Sequence, residues 1–314
     1  MKRIVYDKYG SVDDLHAVEV NKPIPDKEQI LIKVKAVSIN PLDWKILMGE
    51  VKLMSGKKFP KSVGCDFSGT IESIGPDIQK FEVGDDVFGV INPFKEGVLG
   101  EYILVNEKEI ARKPANLSFE HAAAIPTAGQ SALQMLTKNV NSIEGKEILI
   151  NGASAGVGMF AIQIAKSQGA IVTAVSSAKG HHLLKKWGSD YVIDYNKEEV
   201  TNLRKQFDVI IELSAKLPFR KVKKLMKPES TYITVIPSLW NFVHSFSNNI
   251  VSGKKYKILL MKSDTESLNR LASDALKGID IHISKTYPMS DYKEAYKTII
   301  KEGALGKVVF NILS

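Results

Sequence analysis

The chain has 314 residues, of which 44% are hydrophobic and 25% charged, so it is long enough for two globular domains with sizeable cores. Its net charge of +8 comes from short scattered groups of basic residues without interleaved aromatics, which gives no indication of a nucleic-acid surface. A single cysteine excludes intramolecular disulfides and cysteine-rich zinc sites. The N-terminus does not resemble a signal peptide and no apolar run reaches about eighteen residues, so we expect a cytoplasmic protein without a membrane partner.

The N-terminal third predicts a compact β-rich domain. Its short apolar runs show little helical periodicity and are separated by glycines and prolines, as in hairpins and tight turns. The predicted strands are residues 4–6, 16–20 and 29–37. After Pro114 the pattern changes, because Ser118 can cap a helix that begins near His121 and residues 131–136 predict another helix.

From residue 147 onward, strands and helices alternate. Six mainly apolar runs predict six strands, the usual number in a doubly wound nucleotide-binding sheet. They are residues 147–151, 170–175, 191–193, 208–212, 231–235 and 256–261. The remaining segments predict a helix, a strand, a second helix and a last strand, at residues 264–277, 281–284, 292–301 and 307–312. Because this tail resembles the β-rich start, we expect the C-terminus to complete the first domain.

The turn after the first of these six strands indicates a dinucleotide site. Its residues are Gly152, Ala153, Ser154, Ala155, Gly156 and Val157, followed by Gly158. Small residues let backbone N–H groups approach a pyrophosphate, and the helix N-terminus adds partial positive charge. The usual G-x-G-x-x-G spacing has alanine here at its first two glycine positions, so an ordinary strand-to-helix turn is the alternative interpretation.

The end of the second strand predicts which dinucleotide is bound. An NAD site presents Asp or Glu to the ribose hydroxyls at this place, whereas an NADP site offers donors and cations. Ser176 and Ser177 occupy the position, and Lys179 follows. We therefore expect NADPH, with an ordinary solvated lysine as the alternative interpretation of Lys179.

Six segments, in order along the chain, carry a family resemblance: residues 39–45, 63–69, 81–89, 114–118, the glycine turn and 306–310. Together they resemble the zinc-independent quinone oxidoreductase branch of the medium-chain dehydrogenase/reductase superfamily. The resemblance implies an α/β protein with two domains and a cofactor in the cleft between them, usually as a homodimer. A GroES-like β-rich catalytic domain would comprise residues 1–116 and 264–314, and a Rossmann domain with a doubly wound parallel six-stranded sheet would comprise residues 117–263.

The residues at the superfamily's metal positions predict a zinc-free enzyme. Alcohol dehydrogenases of the superfamily bind catalytic zinc through a Cys, a His-Glu pair and a second Cys or acidic residue. Here Asn40 stands at the first position, Cys65-Asp66 replaces the pair, and the second Cys position falls near Ala123. Without a metal, the hydride must go to a carbon that is already electrophilic, in a quinone or an α,β-unsaturated carbonyl. We interpret Cys65 and Asp66 as a buried thiol and a structural carboxylate.

The resemblance also implies roles for individual residues. Lys45 matches the lysine of an N-P-x-D-aromatic-K motif in alkenal and enone reductases and would donate a hydrogen bond to the substrate carbonyl. Asn40 would line the nicotinamide pocket. A surface lysine and a turn-forming asparagine are the alternatives for these two candidates. Thr127 would contact the cofactor just before the Ala128-Gly129 segment that approaches the nicotinamide. Tyr195 would flank the adenosine phosphate, and Ser214 would lie beside the ribose.

The sequence therefore predicts an NADPH-dependent, zinc-free reductase of small hydrophobic quinones or enones. An NADPH-binding regulatory or interaction protein with little catalysis is one alternative, and an RNA-binding relative is another. The chain departs from the family where Ser214-Ala215 and Glu229-Ser230 replace glycines that usually flank the fourth and fifth strands. Residues 237–246 are aromatic-rich and predict either contact with a lipophilic substrate or an ordinary packed helix.

Overall fold

The computed structural model describes residues 1–140, 142–235 and 253–312. It divides into two compact units, Met1–Thr127 with Ser263–Ser314, and Ala128–Lys262. The domain boundaries expected from the sequence, after residues 116 and 263, stay predictions. The aromatic segment 237–246 lies outside the described residues.

The described elements are, in chain order, the following. The strands are β1 Lys2–Tyr6, β2 His16–Glu19, β3 Gln29–Ser38, β4 Lys61–Ser62, β5 Asp66–Ile74, β6 Asp86–Val90, β7 Tyr102–Asn106, β8 Ile110–Arg112, β9 Glu147–Asn151, β10 Ile171–Ser176, β11 Tyr191–Asp194, β12 Phe207–Glu212, β13 Met226–Thr234, β14 Lys255–Ile258, β15 Ile283–Pro288 and β16 Lys307–Asn311. The α-helices are α1 Pro41–Leu47, α2 Lys52–Ser55, α3 Phe119–Ala123, α4 Pro126–Lys138, α5 Gly156–Ser167, α6 His181–Lys186, α7 Phe219–Val222, α8 Thr265–Leu276 and α9 Tyr292–Glu302. Short 3₁₀ turns occur at Val12–Asp14, Glu107–Glu109, Ala178–Gly180, Val200–Asn202, Lys223–Leu225 and Met289–Asp291.

The first unit is a β-rich domain that both ends of the chain build together. Its larger sheet has the strand order β15-β16-β3-β5-β6-β8, with β7 also paired to β3, and a smaller sheet has the order β2-β1-β4. Only the β15–β16 pair is parallel among the described pairs of these sheets. Ile32, Phe67 and Phe310 lie fully buried in one hydrophobic core, although Phe310 comes from the far end of the sequence.

The second unit is built on a parallel six-stranded sheet of order β11-β10-β9-β12-β13-β14. This is the doubly wound order, in which the chain direction across the sheet reverses between β9 and β12. The central strands β9 and β12 each carry a stretch of three consecutive apolar residues, and Leu149 and Ile150 are completely buried, as expected of strands covered on both faces. The predicted α/β class with a Rossmann sheet is confirmed.

Several local predictions differ from the structure; the sixth strand of the parallel sheet, for example, ends at Ile258 rather than at residue 261. Residues 41–47 form the helix α1, although no helix was predicted in the N-terminal third of the chain. The fifth strand of the parallel sheet begins at Met226 rather than at residue 231, because its pairing with β12 shifts register and continues past Pro228. The strand expected at residues 281–284 runs instead from Ile283 to Pro288.

Candidate active site

The first candidate side chains are placed by the N-terminus of α1. Asn40 is the residue before the helix, in extended conformation, and Pro41 supplies the fixed φ of the first helical position. Asp43 accepts the backbone N–H of Asn40 at 2.8 Å, which fixes the start of the helix. Lys45 lies one turn further on, half-buried, and its ammonium has no ion-pair partner among the described residues.

Asn40 belongs to a buried polar network in the first unit. Its carboxamide Nδ2 donates to Asp66 Oδ2 at 2.9 Å, and its Oδ1 accepts from the Lys307 ammonium at 2.7 Å. Asp66 is completely buried at the start of β5, and Lys307 is 4% exposed at the start of β16. Thr127, in the first turn of α4, donates both its backbone N–H and its hydroxyl to Asp66 Oδ1, at 3.1 and 2.5 Å. The network therefore joins the predicted site residues Asn40 and Thr127.

The remaining members of the network are Cys65 and Asp43. The Cys65 thiol lies 3.8 Å from Asp66 Oδ1 and 3.6 Å from Thr127 Oγ1, and burial raises its pKa well above the usual value. A thiol that stays protonated is a poor nucleophile, which agrees with the structural role expected of it. Burial also raises the pKa of Asp43 to about 7, opposed by the Asn40 N–H bond and reinforced by the charge of Asp66.

Burial pushes the pKa of Asp66 up and that of Lys307 down, toward a neutral pair. The contacts oppose this effect, because Asp66 receives three N–H and O–H groups from Asn40 and Thr127 and lies 3.9 Å from the ammonium. Donors that all point at one carboxyl group stabilise its ionised form. We therefore treat the pair as charged. Lys307 is the residue of this site that the sequence analysis missed.

In the second unit, the predicted glycine turn connects β9 to α5. Gly152 has a φ of +79°, which a residue with a side chain adopts only at a cost. A Cβ on Gly158 would lie 2.2 Å from the carbonyl oxygen of Ala153, so only glycine lets the helix pack this closely on the turn. Ala155 precedes α5 without a side-chain cap, so no N-cap side chain competes with an anion for the N–H groups of the first turn.

The residues predicted to bind the adenosine end lie together at the carboxyl edge of the same sheet. Ser176 ends β10, and its carbonyl accepts the N–H of Tyr195, just beyond the end of β11, at 3.2 Å. Ser177 and Lys179 follow Ser176, and Lys179 is exposed. The Lys216 ammonium, which the sequence did not single out, lies 6.0 Å from the centre of the Tyr195 ring.

A second buried polar cluster lies between the ends of β9 and β12. Asn151 Nδ2 donates to Glu212 Oε2 at 2.7 Å and to Ser214 Oγ at 2.9 Å. Glu212 Oε1 in turn accepts the backbone N–H and the hydroxyl of Ser214, at 2.6 and 2.7 Å. The predicted ribose contact Ser214 is therefore anchored by two residues that the sequence analysis missed. Their positions as the last residues of the strands that flank the reversal point could have identified them.

The backbone is strained at two places where the chain lacks a glycine that the family usually has. Ala215 and Glu229 have φ values of 65° and 59°, and they are the only non-glycine residues with positive φ among the described ones. Left-handed backbone is unfavourable for both side chains. The turns after β12 and within β13 thus keep the geometry that glycine would allow, although glycine is not present.

Comparison with known proteins identifies the family. The alcohol dehydrogenase GroES-like domain model matches residues 26–115, and the zinc-binding dehydrogenase model matches residues 187–310. The chloroplastic quinone-oxidoreductase QR1 of Triphysaria versicolor is 32% identical over 98% of each chain. The chain belongs to the quinone oxidoreductase branch of the medium-chain dehydrogenase/reductase superfamily. The resemblance carried by the motifs is thereby confirmed, and so is the prediction that the chain is an oxidoreductase.

Other members of the branch agree with this assignment. The 2-methylene-furan-3-one reductase of Solanum lycopersicum is 40% identical over 68% of this chain and 56% of that protein. The mitochondrial NAD(P)H oxidoreductase RTN4IP1 of Bos taurus is 32% identical over 98% of this chain and 88% of its own. The solved structure of the quinone oxidoreductase from Coxiella burnetii is 29% identical and superposes with a TM-score of 0.92 over 99% of each chain.

Metal-ligand clusters and membrane-spanning helices are both absent from the described residues. Within 1–140, 142–235 and 253–312, no three His, Cys, Asp or Glu side chains lie together so that they could hold a metal ion. None of the helices in the same residues combines the length and apolar character that crossing a bilayer requires.

Proposed function

We propose that the chain is an NADPH-dependent, zinc-free reductase that transfers hydride to a quinone or to the C=C bond of an α,β-unsaturated carbonyl. The observation that carries the proposal is the carboxyl edge of the parallel sheet. There a glycine turn precedes the N-terminus of α5, and Ser176, Ser177 and Lys179 stand where an NAD-specific site would present a carboxylate. The names of the relatives supply the classes of electron donor and acceptor.

The residues of the second unit fit a dinucleotide. The close packing at Gly158 and the uncapped first turn of α5 leave backbone N–H groups for a pyrophosphate. Ser177 and Lys179 provide a hydroxyl and a cation for an adenosine phosphate, and Tyr195 flanks the same place. Ser214, held by Glu212, is the candidate contact for a ribose hydroxyl.

The bound nicotinamide supplies the hydride, and the chain's own residues orient the acceptor and stabilise the charge that develops on it. When hydride adds to the β-carbon of an enone, negative charge moves to the carbonyl oxygen. Lys45 would donate a hydrogen bond to that oxygen, because its ammonium is not committed to another described residue. A proton from Lys45 or water then completes the reduction.

The experiment that tests the proposal measures NADPH oxidation with four acceptors: a naphthoquinone, a short 2-alkenal, an alkyl enone and a saturated aldehyde. We expect reduction of the quinone, the alkenal or the enone, and none of the aldehyde. NADPH binding without reduction of any acceptor would support the binding-protein alternative instead. Nucleic-acid binding with a steep salt dependence would favour the RNA-binding alternative.

The role of Lys45 is tested by Lys45→Met, which keeps the length of the side chain and removes its charge. We expect kcat to fall about a hundredfold, the usual effect of removing a donor to a developing oxyanion. Lys52→Met is the matched control, because Lys52 is exposed on the neighbouring helix α2. Equal loss in the two variants would remove Lys45 from the mechanism.

The proposal includes the oligomeric state of the protein and its location in the cell. The family resemblance implies a homodimer, which analytical ultracentrifugation would detect as twice the monomer mass of 34.7 kDa. A cytoplasmic location stays a prediction. Two of the relatives are named chloroplastic and mitochondrial, so fractionation of the source cells is the appropriate measurement.

A further inference from the structure

The buried pair Asp66 and Lys307 has no role in the mechanism above. Lysine is among the residues least often buried, and burying its charge without need is unfavourable. Lys307 begins β16, and Asn40 follows β3, the neighbouring strand, so the ammonium reaches across the sheet toward Asn40 and Asp66. Residues 267 positions apart in sequence thus meet at the predicted nicotinamide site.

Lys307 determines which way the Asn40 carboxamide faces. An ammonium can only donate hydrogen bonds, so the atom that it contacts at 2.7 Å must be the amide oxygen. The NH₂ group is therefore turned toward Asp66. Lys307 also donates to the carbonyl of Ile39 at 3.1 Å, which holds its ammonium in place. Both polar atoms of the Asn40 side chain are consequently engaged inside the network.

Asp66 determines the polarity of the Thr127 hydroxyl. A carboxylate only accepts hydrogen bonds, so the single hydroxyl proton of Thr127 must point to Asp66 Oδ1 at 2.5 Å. The backbone N–H of Thr127 donates to the same carboxylate. What Thr127 can present to a ligand is then only the lone pairs of its oxygen. Thr127 acts as an acceptor for as long as Asp66 stays ionised beside Lys307.

We propose that Lys307 is a positioning residue that, through Asp66, keeps the Thr127 hydroxyl an acceptor for the carboxamide NH₂ of the nicotinamide. The inference rests on the proposed function, since it concerns the same cofactor. The inference adds a preference between cofactors. A nicotinamide ring with a primary carboxamide can donate a hydrogen bond to Thr127, and a ring with a methyl ketone in its place cannot. Asn40 contributes as the link between Lys307 and Asp66.

The test compares two cofactors, NADPH and its reduced 3-acetylpyridine analogue, whose methyl ketone has no N–H donor. Dissociation constants are measured by fluorescence titration without an acceptor, so turnover does not enter. We expect the wild-type protein to bind NADPH about tenfold more tightly than the analogue, and Thr127→Val to reduce this ratio to about one. Lys307→Met should reduce the ratio in the same way, although Thr127 is unchanged.

Two further variants keep the test decisive. Lys307→Met leaves Asp66 buried and unpaired, so the double variant Asp66→Asn/Lys307→Met, which removes both charges, guards against loss of folding. It should also abolish the discrimination. Lys61→Met is the matched control, because Lys61 is also a buried lysine of this unit and its ammonium donates to the carbonyl of Ser55. Its ratio should equal that of the wild type.

The possible failures are distinguishable. If the wild-type protein binds both cofactors equally well, the inference is wrong and NADPH binding stands. If the folded double variant keeps the wild-type ratio, Lys307 is not the positioning residue. If the wild-type protein binds neither cofactor, the proposed function is wrong and the inference is wrong with it.

Discussion

Asn151 at the end of β9 donates a 2.7 Å hydrogen bond to the buried carboxylate of Glu212 at the end of β12. These strands flank the point at which the strand order of the parallel sheet reverses, the usual place for a ligand in such sheets. The same carboxylate orients Ser214 through two more hydrogen bonds. The Asn151–Glu212 contact therefore joins two strand ends and shapes the predicted ribose contact.

Glu212→Gln should disturb this contact, because the described hydrogen-bond partners of the carboxylate are all donors and the new NH₂ would face one of them. We expect the free energy of unfolding to fall by about 1–3 kcal/mol and NADPH to bind more weakly. Adding Asn151→Asp to the same chain would place a carboxylate acceptor opposite the new NH₂ donor. Urea unfolding of both single variants and the double variant measures the coupling. Losses that simply add would contradict a direct Asn151–Glu212 interaction.

Lys179→Met and Ser177→Asp test the preference for the phosphorylated cofactor. Lys179→Met removes the cation, so we expect NADPH to bind about tenfold more weakly and NADH to bind unchanged, a difference of about 1.4 kcal/mol. Ser177→Asp introduces the carboxylate typical of NAD sites and should reverse the preference. Titration without an acceptor gives both constants, and the exposed Lys185→Met is the control. An equal effect of Lys179→Met on the two cofactors would show that Lys179 does not contact the phosphate.

Ala215→Gly and Glu229→Gly should each stabilise the protein. Both residues have positive φ, which is unfavourable for a side chain but not for glycine. The relief exceeds the extra entropy that glycine gives the unfolded chain, so we expect a gain of about 0.5–1 kcal/mol per site. Thermal unfolding is the measurement. Ala178→Gly, at an exposed position without positive φ, should instead destabilise the protein by a similar amount. A change of stability with the same sign at all three sites would contradict the idea that Ala215 and Glu229 are strained.

Asp43 should make stability fall as the pH rises. Its pKa is raised by burial from 3.8 to about 7, so between these values the unfolded chain ionises this carboxyl while the folded chain keeps it protonated. The folded state binds more protons there, and the free energy of unfolding decreases from pH 4 to pH 7, by up to about 4 kcal/mol. Above the folded pKa the contribution is constant. Asp43→Asn should remove this decrease of stability with pH, as measured by urea unfolding at each pH. An unchanged pH dependence would mean that another group causes it.

The parallel sheet was predictable from the sequence because its strands are buried on both faces. Residues 148–150 form an uninterrupted apolar run, and the strand predicted over residues 147–151 has the same bounds in the structure. The strand β13 was predicted too short, since Pro228 and Glu229 resemble a turn, while the structure absorbs them in a register shift. The helix α1 was missed because seven residues are too few to show helical periodicity.

The candidate site was predictable only where it depends on local sequence. The turn at Gly152 and the serines at the end of β10 are predicted from neighbouring residues, and both lie at the carboxyl edge of the sheet. Lys307 could not be found in this way. In the sequence it is one basic residue before an apolar strand, and its meeting with Asn40 depends on the order of strands in the sheet. Glu212 was likewise missed because burial of a charge is a tertiary property.

The strand β16 has a consequence for synthesis of the protein. It pairs with residues 36–38 of β3, so this end of β3 lacks a partner on that side until residues 307–311 have left the ribosome. During translation the first unit would expose an open strand edge, and Asp66 would lack its counter-charge, while the second unit could already close its own sheet. Nascent chains stalled before residue 307 should therefore depend on chaperones far more than finished ones.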